Sequence, residues 1–296
     1  LRHGGRQSPV QYLMRRLRLG EVEALHLQGG RFRLDGGTMF GVVPKALWQK
    51  ECSPDPKNRV DLACNCLLLK MGSELILLDT GIGERFSERE QAMYGIDPTQ
   101  TLRASLAAAD CAPTDITQVA FTHLHFDHFC GSLLAKGDEL TPLFPNAVHL
   151  VQRGEWADAI AGRSTMKSSY RPDEFRTLAR QVEFRMLDGS EILTPGLESF
   201  ITGGHTQWHQ GFRLQAGGQT LVYPGELIPT RNHLRPYWNM AYDMFPHQTL
   251  TDKNAFSAQA AAERWIVAWD HDSTSPWNRI KQDGDKFASI DIEEDV

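Results

Sequence analysis

The segment Phe121–Phe129, which reads Phe-Thr-His-Leu-His-Phe-Asp-His-Phe, constrains this chain more than any other part of its sequence. It places His123, His125, Asp127 and His128 within six residues. Imidazole nitrogen and carboxylate oxygen are ligands suited to zinc, iron, manganese or cobalt. If the end of a strand stays extended here, the first two histidines project to the same side. A turn after them can then bring the other two residues round to face a second metal.

The length and composition predict a soluble globular protein. The chain has 296 residues, of which 41% are hydrophobic and 23% charged, enough for a substantial core. The net charge of −6 does not indicate the positive charge that binding of nucleic acid requires. The sequence has no run of eighteen apolar residues and no apolar leader, so we expect neither a membrane span nor secretion. Five cysteines without a C-x-x-C pair indicate reduced thiols and a cytoplasmic location.

Local patterns predict strands in blocks, with helices between the blocks. We expect a single domain over residues 1–296, with an N-terminal helical extension (1–20, helix at Val10–Leu19) and a C-terminal tail (277–296). Strands are predicted at Val22–Leu27, Arg31–Leu34, Val60–Lys70, Glu74–Leu78, Val119–Thr122, Ala147–Gln152, five short runs between Glu183 and Tyr223, and Trp265–Trp269. Helices are predicted at Gln100–Ala109, Arg153–Ala161, Pro172–Arg180 and Lys253–Arg264. This order favours two sheets covered by helices over a doubly wound parallel sheet.

Further ligand-type residues stand where predicted strands give way to loops. Each of them alone would most often be a hydrogen-bonded structural residue. Their number and their order along the chain are what indicate a site. They are Asp79, His205, Glu226 and His271.

With these residues in this order, the chain resembles the metallo-β-lactamase fold superfamily from about residue 30 to residue 290. The resemblance is carried by Asp79, by the H-x-H-x-D-H motif of residues 123–128, and by His205, Glu226 and His271. It implies an α+β fold, an αβ/βα sandwich of two mixed β-sheets flanked by helices. It also implies a metal site along one edge of the two sheets.

The resemblance assigns a role to each of these residues. It implies two divalent metal ions, with zinc favoured and manganese, iron or cobalt left open. Asp79 would orient a ligand or the bridging water by hydrogen bonding. The ligands of the first metal would be His123, His125 and His205; those of the second would be Asp127, His128 and His271; and Glu226 would bridge the two.

One position departs from the family pattern, because the bridging residue is usually Asp and here it is Glu226. The additional methylene moves the carboxylate roughly 1.5 Å further from the backbone. The sequence leaves open whether Glu226 joins both metals, binds one of them, or leaves the second site weak.

Such a centre implies hydrolysis without a covalent protein intermediate. Two cations lower the pKa of a shared water and polarise the substrate oxygen. Asp127 is the candidate to accept the proton and return it to the leaving group, and Asp79 is the second candidate catalytic residue. No G-x-S-x-G nucleophile motif is present.

The segments around the ligands resemble the branch that holds N-acyl homoserine lactonase-like (quorum-quenching) enzymes and lies near methyl parathion hydrolase. This implies a small-molecule ester or lactone substrate. Residues Met39–Trp48 form an apolar stretch that we interpret as a lid or a pocket wall. Pro229 stands where the best-known homoserine lactonases have a substrate-contacting Tyr. The candidate substrate contacts are Phe40, Trp48, Trp208 and His233, and the framing segments are Phe40–Trp48, Asp79–Gly83, Phe144–Ala147, Gly203–Thr206 and Leu227–Thr230.

Two other interpretations stay open at this point. A phosphotriesterase would use the same metals on a phosphoryl centre. A metal-binding or redox-sensing protein would result if Glu226 has crippled catalysis. The sequence indicates neither nucleic acid nor a membrane as a partner, and it leaves a homodimer open.

Overall fold

The computed structural model describes residues 14–165 and 168–292. Within them the strands are β1 (Arg16–Leu19), β2 (Val22–Asp35), β3 (Arg59–Met71), β4 (Glu74–Leu78), β5 (Gln118–Ala120), β6 (Leu133–Lys136), β7 (Glu139–Pro142), β8 (Val148–Gln152), β9 (Phe184–Leu187), β10 (Ile192–Thr194), β11 (Leu197–Ile201), β12 (Gln210–Ala216), β13 (Gln219–Tyr223), β14 (Ile266–Ala268), β15 (Trp277–Asp283) and β16 (Lys286–Ile290). The α-helices are α1 (Gly36–Phe40), α2 (Lys45–Trp48), α3 (Glu88–Tyr94), α4 (Leu102–Ala108), α5 (Phe126–Phe129), α6 (Arg153–Ala161), α7 (Pro172–Ala179) and α8 (Pro246–Ala262). None of the helices in these two ranges combines the length and apolarity needed to cross a membrane.

Two seven-stranded sheets form the centre of the fold. The first has the order β1-β2-β3-β4-β5-β8-β9 and the second the order β10-β11-β12-β13-β14-β15-β16, while β6 and β7 form a separate hairpin. Strands β4, β5, β8 and β9 run parallel to one another, and so do β13 and β14; the other pairs are antiparallel. The predicted sandwich of two mixed sheets is therefore confirmed.

Buried side chains alternate along the strands between two hydrophobic cores. In β4, Ile76 and Leu78 belong to the core between the two sheets, whereas Leu77 joins the core shared with α4, α6 and α7. In β13, Tyr223 faces the first sheet and Val222 packs with residues of α8. Successive side chains of a strand point to opposite faces, so each sheet can fill two cores. The result is a helix–sheet–sheet–helix sandwich.

Both predicted chain-end segments are wrong where the structure describes them. Arg16–Leu19 is strand β1 and not part of a helix, because Leu17 and Leu19 are buried between the sheets and the strand pairs with β2. Residues 1–13, which include the start of the predicted helix, lie outside the described residues. The predicted tail over 277–296 instead forms β15 and β16, which pair with each other at the edge of the second sheet. Only its last four residues lie outside the described ranges.

The strands predicted at Val22–Leu27 and Arg31–Leu34 are one long strand, β2, with an irregularity between Gln28 and Arg31. Gly29 lies at this irregularity, where the chain packs closely on a neighbouring loop. A Cβ on Gly29 would stand 2.9 Å from the Cα of Gly81, in the loop that follows β4. After β2 the chain forms the short helices α1 and α2.

Gly131 shows how closely the loop after β4 packs on the turn after α5. Its N–H donates to the carbonyl of Gly81 over 3.0 Å, and an added Cβ would lie 1.8 Å from the carbonyl oxygen of Thr80. We expect Gly131→Ala to lower the free energy of unfolding by about 3 kcal/mol, because backbone would have to move. Urea unfolding measures this. The control Gly137→Ala, at φ 62° with nothing near its Cβ, should cost about 1 kcal/mol. Equal losses in the two variants would contradict the packing described.

Candidate metal centre

The predicted ligands converge at one edge of the sandwich, where strand ends of both sheets meet. His123 and His125 lie in the segment after β5, and Asp127 and His128 lie in α5. These residues come from the first sheet. The second sheet supplies His205 from the loop after β11, Glu226 from the 3₁₀ turn Gly225–Leu227 after β13, and His271 from the loop after β14.

The side chains form two groups, each with its ligand-type atoms within 4.8 Å of one another. We call them the first group and the second group. All of their members are buried. The first group consists of His123, His125, His205 and Glu226, and the second consists of Asp127, His128, Glu226 and His271.

Glu226 belongs to both groups, so the additional methylene does not keep its carboxylate away from either. Its Oε2 lies 2.5 Å from His205 Nε2 and 3.1 Å from His123 Nε2. Its Oε1 lies 3.2 Å from His271 Nε2. The main chain is fixed as well, because the Glu226 N–H donates to His209 Nε2 over 3.1 Å. His209 therefore positions the turn that carries Glu226.

The second group is slightly more open. Asp127 Oδ2 lies 3.6 Å from His271 Nε2, and its Oδ1 lies 4.0 Å from His128 Nε2. The imidazole of His128 lies 3.9 Å from Glu226 Oε2. Two donors that each bind one ion at about 2.1 Å stand about 3–4 Å apart, so these spacings are those of ligands around a shared ion.

Unsatisfied buried atoms test whether the groups fit metal ions. Within residues 14–165 and 168–292, no hydrogen bond satisfies the Nε2 atoms of His123, His125, His128 and His271, or Glu226 Oε2, although all of them are buried. Buried polar atoms are normally hydrogen-bonded, and leaving several unpaired in one place is costly. The set of imidazole nitrogens and carboxylate oxygens suits divalent transition-metal ions. The residues present therefore fit a pair of such ions.

Partners on the far side of the rings orient the histidines. The Nδ1 of His128 donates to Asp79 Oδ2 over 2.8 Å, and the Nδ1 of His271 donates to the carbonyl of Ala63 over 2.8 Å. Such contacts fix which nitrogen faces a metal. Asp79 itself accepts from the N–H and the hydroxyl of Thr122, both over 2.8 Å, and it has a positive φ of 56° directly after β4.

Sequence analysis missed two buried carboxylates that hold the site together. Asp243 accepts from His205 Nδ1 over 3.2 Å. Glu155 of α6 accepts from the N–H of Leu124 over 3.0 Å and from the hydroxyl of Thr206 over 2.7 Å, so it links the two ligand loops. Neither residue stands in a motif, and Glu155 resembles an ordinary solvent-facing helix residue. No signal in the sequence alone identifies them.

The four predicted substrate contacts lie outside both groups. Trp48 is a core residue, 1% exposed and stacked on Phe40 at 5.4 Å. The ring of His233 also stacks on Phe40, at 5.1 Å, and its Nε2 forms a hydrogen bond with the carbonyl of Met39. Trp208 is 39% exposed and lies over Gly154, where a Cβ would be 2.2 Å from its ring. Substrate contact stays a prediction for all four residues.

Other aromatic side chains border the two groups directly. Phe32 lies 5.6 Å from the ring of His271, and Tyr170 lies 4.9 Å from the ring of His125. Phe126, adjacent to Asp127, packs against Phe32 at 6.3 Å and against Tyr94 at 5.4 Å. Phe126 and Tyr94 are only partly buried, so an apolar wall extends from the site towards the surface.

The profile of the Metallo-beta-lactamase superfamily matches residues 59–271, so the chain belongs to that superfamily. An N-acyl homoserine lactonase of Bacillus cereus is 25% identical over 177 residues, covering 56% of this chain and 64% of the relative. One of Bacillus thuringiensis is 26% identical over 170 residues, covering 54% of this chain and 61% of the relative. The match thus spans somewhat less than two thirds of these relatives.

Solved structures share the whole fold. "A probable metal-dependent hydrolase from Staphylococcus aureus" superposes with a TM-score of 0.82 at 28% identity, covering 95% of this chain and 100% of that one. AidC, a dizinc quorum-quenching lactonase solved with its product, has a TM-score of 0.76 at 22% identity, covering 94% of this chain and 97% of AidC. At that identity the second likeness concerns the fold alone.

Asp79 offers a test of ring orientation. We expect Asp79→Asn to weaken zinc binding about 10- to 100-fold, mainly at the second group, because His128 loses the carboxylate that fixes its ring. Zinc titration of metal-free protein against a competing chelator measures this. The exposed Asp138→Asn serves as the control. Unchanged affinity in Asp79→Asn would show that the ring is held without this contact.

Protonation of the ligands predicts a pH dependence. Burial lowers the pKa of His128, but the charge and hydrogen bond of Asp79, together with the charges of Asp127 and Glu226, outweigh it and raise the pKa to about 9. The pKa of His271 rises to about 10, because nearby Asp270 and Glu226 likewise outweigh burial. These pKa values describe the metal-free protein, in which both rings are positively charged imidazolium at pH 7. A metal ion that binds to Nε2 must therefore displace a proton.

We therefore expect zinc uptake to release protons and the apparent zinc affinity to rise at least about tenfold per pH unit between pH 6 and pH 8. Calorimetry in buffers of different ionisation enthalpy counts the protons, and chelator competition measures the affinity. A flat affinity with no proton release would contradict the charge arrangement described.

Proposed function

We propose that this chain is a metal-dependent hydrolase that opens the ester bond of a lactone, with an N-acyl homoserine lactone as its substrate. The observation that carries the proposal is the position of Glu226, whose carboxylate reaches ligand atoms of both groups. A centre joined in this way suits two divalent ions, with zinc as the first choice for the histidine-rich first group. Because Glu226 belongs to both groups, its position does not favour the alternative in which Glu226 has crippled catalysis.

When bound, two such ions would lower the pKa of a water between them and polarise the carbonyl oxygen of the substrate. The chain's own residues would handle the proton. Asp127 lies at the edge of the second group, and burial raises its pKa, which favours a carboxylate that can accept a proton. Water adds to the lactone carbonyl, the ring C–O bond breaks, and the proton passes through Asp127 to the leaving alkoxide.

The surroundings support a substrate with an apolar acyl chain. Phe32, Phe126 and Tyr94 form an aromatic wall beside the second group, and Tyr170 lies beside the first. Apolar walls with a few placed polar groups are typical of small-molecule sites. The two Bacillus relatives named above are N-acyl homoserine lactonases, and the fold is also that of a dizinc lactonase.

Lactone and phosphotriester assays around metal removal test the proposal. Purified protein of known metal content is assayed with an N-acyl homoserine lactone and with paraoxon, before and after chelation, and again after addition of zinc. We expect lactone turnover to vanish on chelation and to return with zinc, and paraoxon turnover to be slower by at least about tenfold.

Each other outcome has a definite meaning. Lactone turnover that survives complete metal removal would refute the mechanism. Paraoxon turnover exceeding lactone turnover would identify a phosphotriesterase. Full metal occupancy without turnover of lactones, esters or phosphotriesters would identify a metal-binding protein.

A further inference from the structure

Lys253, in α8, is a buried cation that neither the metal centre nor the proposed mechanism uses. It is only 1% exposed. Its Nζ donates to the carbonyl of Trp238 and to Oδ1 of Asn239, both over 2.7 Å, and to the carbonyl of Arg235 over 3.3 Å. All three acceptors belong to the stretch that leads into α8, which we call the 235–245 loop. An ammonium group has three donors, so Lys253 uses its whole hydrogen-bonding capacity on this loop.

The far end of the 235–245 loop holds a ligand of the first group. The N–H of Met244 donates to the carbonyl of His205 over 3.1 Å, and the N–H of Phe245 donates to the carbonyl of Gly204 over 2.8 Å. Asp243 accepts from Nδ1 of His205 over 3.2 Å. Three consecutive residues of the loop therefore fix both the main chain and the ring of this ligand.

The middle of the loop is attached to α1. The N–H of Ala241 donates to the carbonyl of Thr38 over 2.8 Å, and the hydroxyls of Thr38 and Tyr242 are hydrogen-bonded at 2.5 Å. A Cβ on Gly41 would stand 2.6 Å from the carbonyl oxygen of Asn239, so the loop packs directly on the chain after α1. The loop thus lies between α1 and the first group, and Lys253 is its attachment to α8.

Electrostatics agree with a link between Lys253 and Asp243. Burial lowers the pKa of Lys253 to about 7, and the charge of Asp243 opposes this effect. Burial raises the pKa of Asp243, and both the contact with His205 and the charge of Lys253 oppose the rise. Two buried groups of opposite charge therefore stabilise each other inside the fold.

We propose that Lys253 is a positioning residue of the first metal position: by holding the 235–245 loop, it keeps Asp243 against His205 and so fixes the ring of that ligand. This rests on the metal centre of the proposed function. Partners that orient a ligand ring strengthen metal binding although they do not contact the ion. The rings of His128 and His271 are held from other elements. Loss of Lys253 should therefore weaken the first position and spare the second.

Zinc titration of the metal-free protein, by calorimetry and by competition with a chelator, tests the proposal. The wild type should bind two ions. Lys253→Met keeps an unbranched side chain and removes the charge and the three donors, so it should bind one ion about tenfold more weakly and the other within about twofold of the wild type. Asp243→Asn should weaken the same ion about 10- to 100-fold.

Double variants identify which ion is affected and through which residue. If Lys253 acts through Asp243, adding Lys253→Met to Asp243→Asn should weaken zinc binding little further, because His205 has already lost its partner. Adding Lys253→Met to Asp79→Asn should instead weaken both ions, each by its own factor, because Asp79 holds a ring of the second group. Additive losses in the first pair would overturn the proposal.

Phe256→Leu is the matched control for a destabilised helix. Phe256 is buried in α8 and packs against Phe200 at 6.5 Å and Trp265 at 5.6 Å, away from the 235–245 loop. We expect it to lower the Tm and to leave both zinc affinities unchanged. Equal weakening of zinc binding in the Phe256 and Lys253 variants would overturn the proposal, because the loss would then follow from disturbance of α8.

The remaining outcomes separate this role from the proposed function. Unchanged zinc affinities in Lys253→Met would overturn the positioning role alone. A wild type that binds no zinc would overturn the metal centre and this role together. A selective loss of the first ion supports the role even where no lactone is turned over. If Lys253→Met does not fold, Lys253→Gln, which keeps a donor, should show the same selectivity with a smaller loss.

Discussion

The rest of this site depends on the carboxylate of Glu226, which lies against imidazoles delivered by both sheets. His123 follows a strand of the first sheet, and His205 and His271 follow strands of the second. Between the sheets lies a core of apolar side chains, which make no directional demand. A carboxylate shared by the two groups does require a direction, because strand ends of both sheets must place their imidazoles at the right distance from it. The 3₁₀ turn that carries Glu226, held by His209, sets that distance.

Burial of this many ionisable groups has an energetic consequence. Carboxylates and imidazoles removed from water are stable only when opposite charge or hydrogen bonds compensate them. Here the outer faces of the rings are satisfied by Asp79, Asp243 and the carbonyl of Ala63. Among the described residues, no hydrogen bond satisfies the inner Nε2 atoms of His123, His128 and His271. The fold thus holds the outer side of these rings and leaves their inner nitrogens to cations, an arrangement that fits a metal centre better than a structural polar network.

Superfamily membership and geometry constrain different parts of the function. Membership accounts for the order of ligand residues along the chain and for the sandwich that brings them together. The choice of substrate depends on what surrounds the ligands. Phe32, Phe126 and Tyr94 line one side of the centre, whereas Trp48 packs in the core against Phe40.

The layered α+β architecture and the candidate ligand residues can be predicted from the sequence, because both depend on local patterns: alternating strands, and ligand-type residues at strand ends. The prediction is wrong for Arg16–Leu19, because its short alternating pattern fits a helix or a strand and pairing with β2 makes it a strand. The prediction is also wrong for β15 and β16, which likewise form strands by pairing with a neighbour. The three-dimensional fold is needed to see that Glu226 reaches both groups and that Glu155 and Asp243 support them. Those contacts join residues far apart in the chain or depend on the conformation of a loop, and local sequence spacing predicts neither of these.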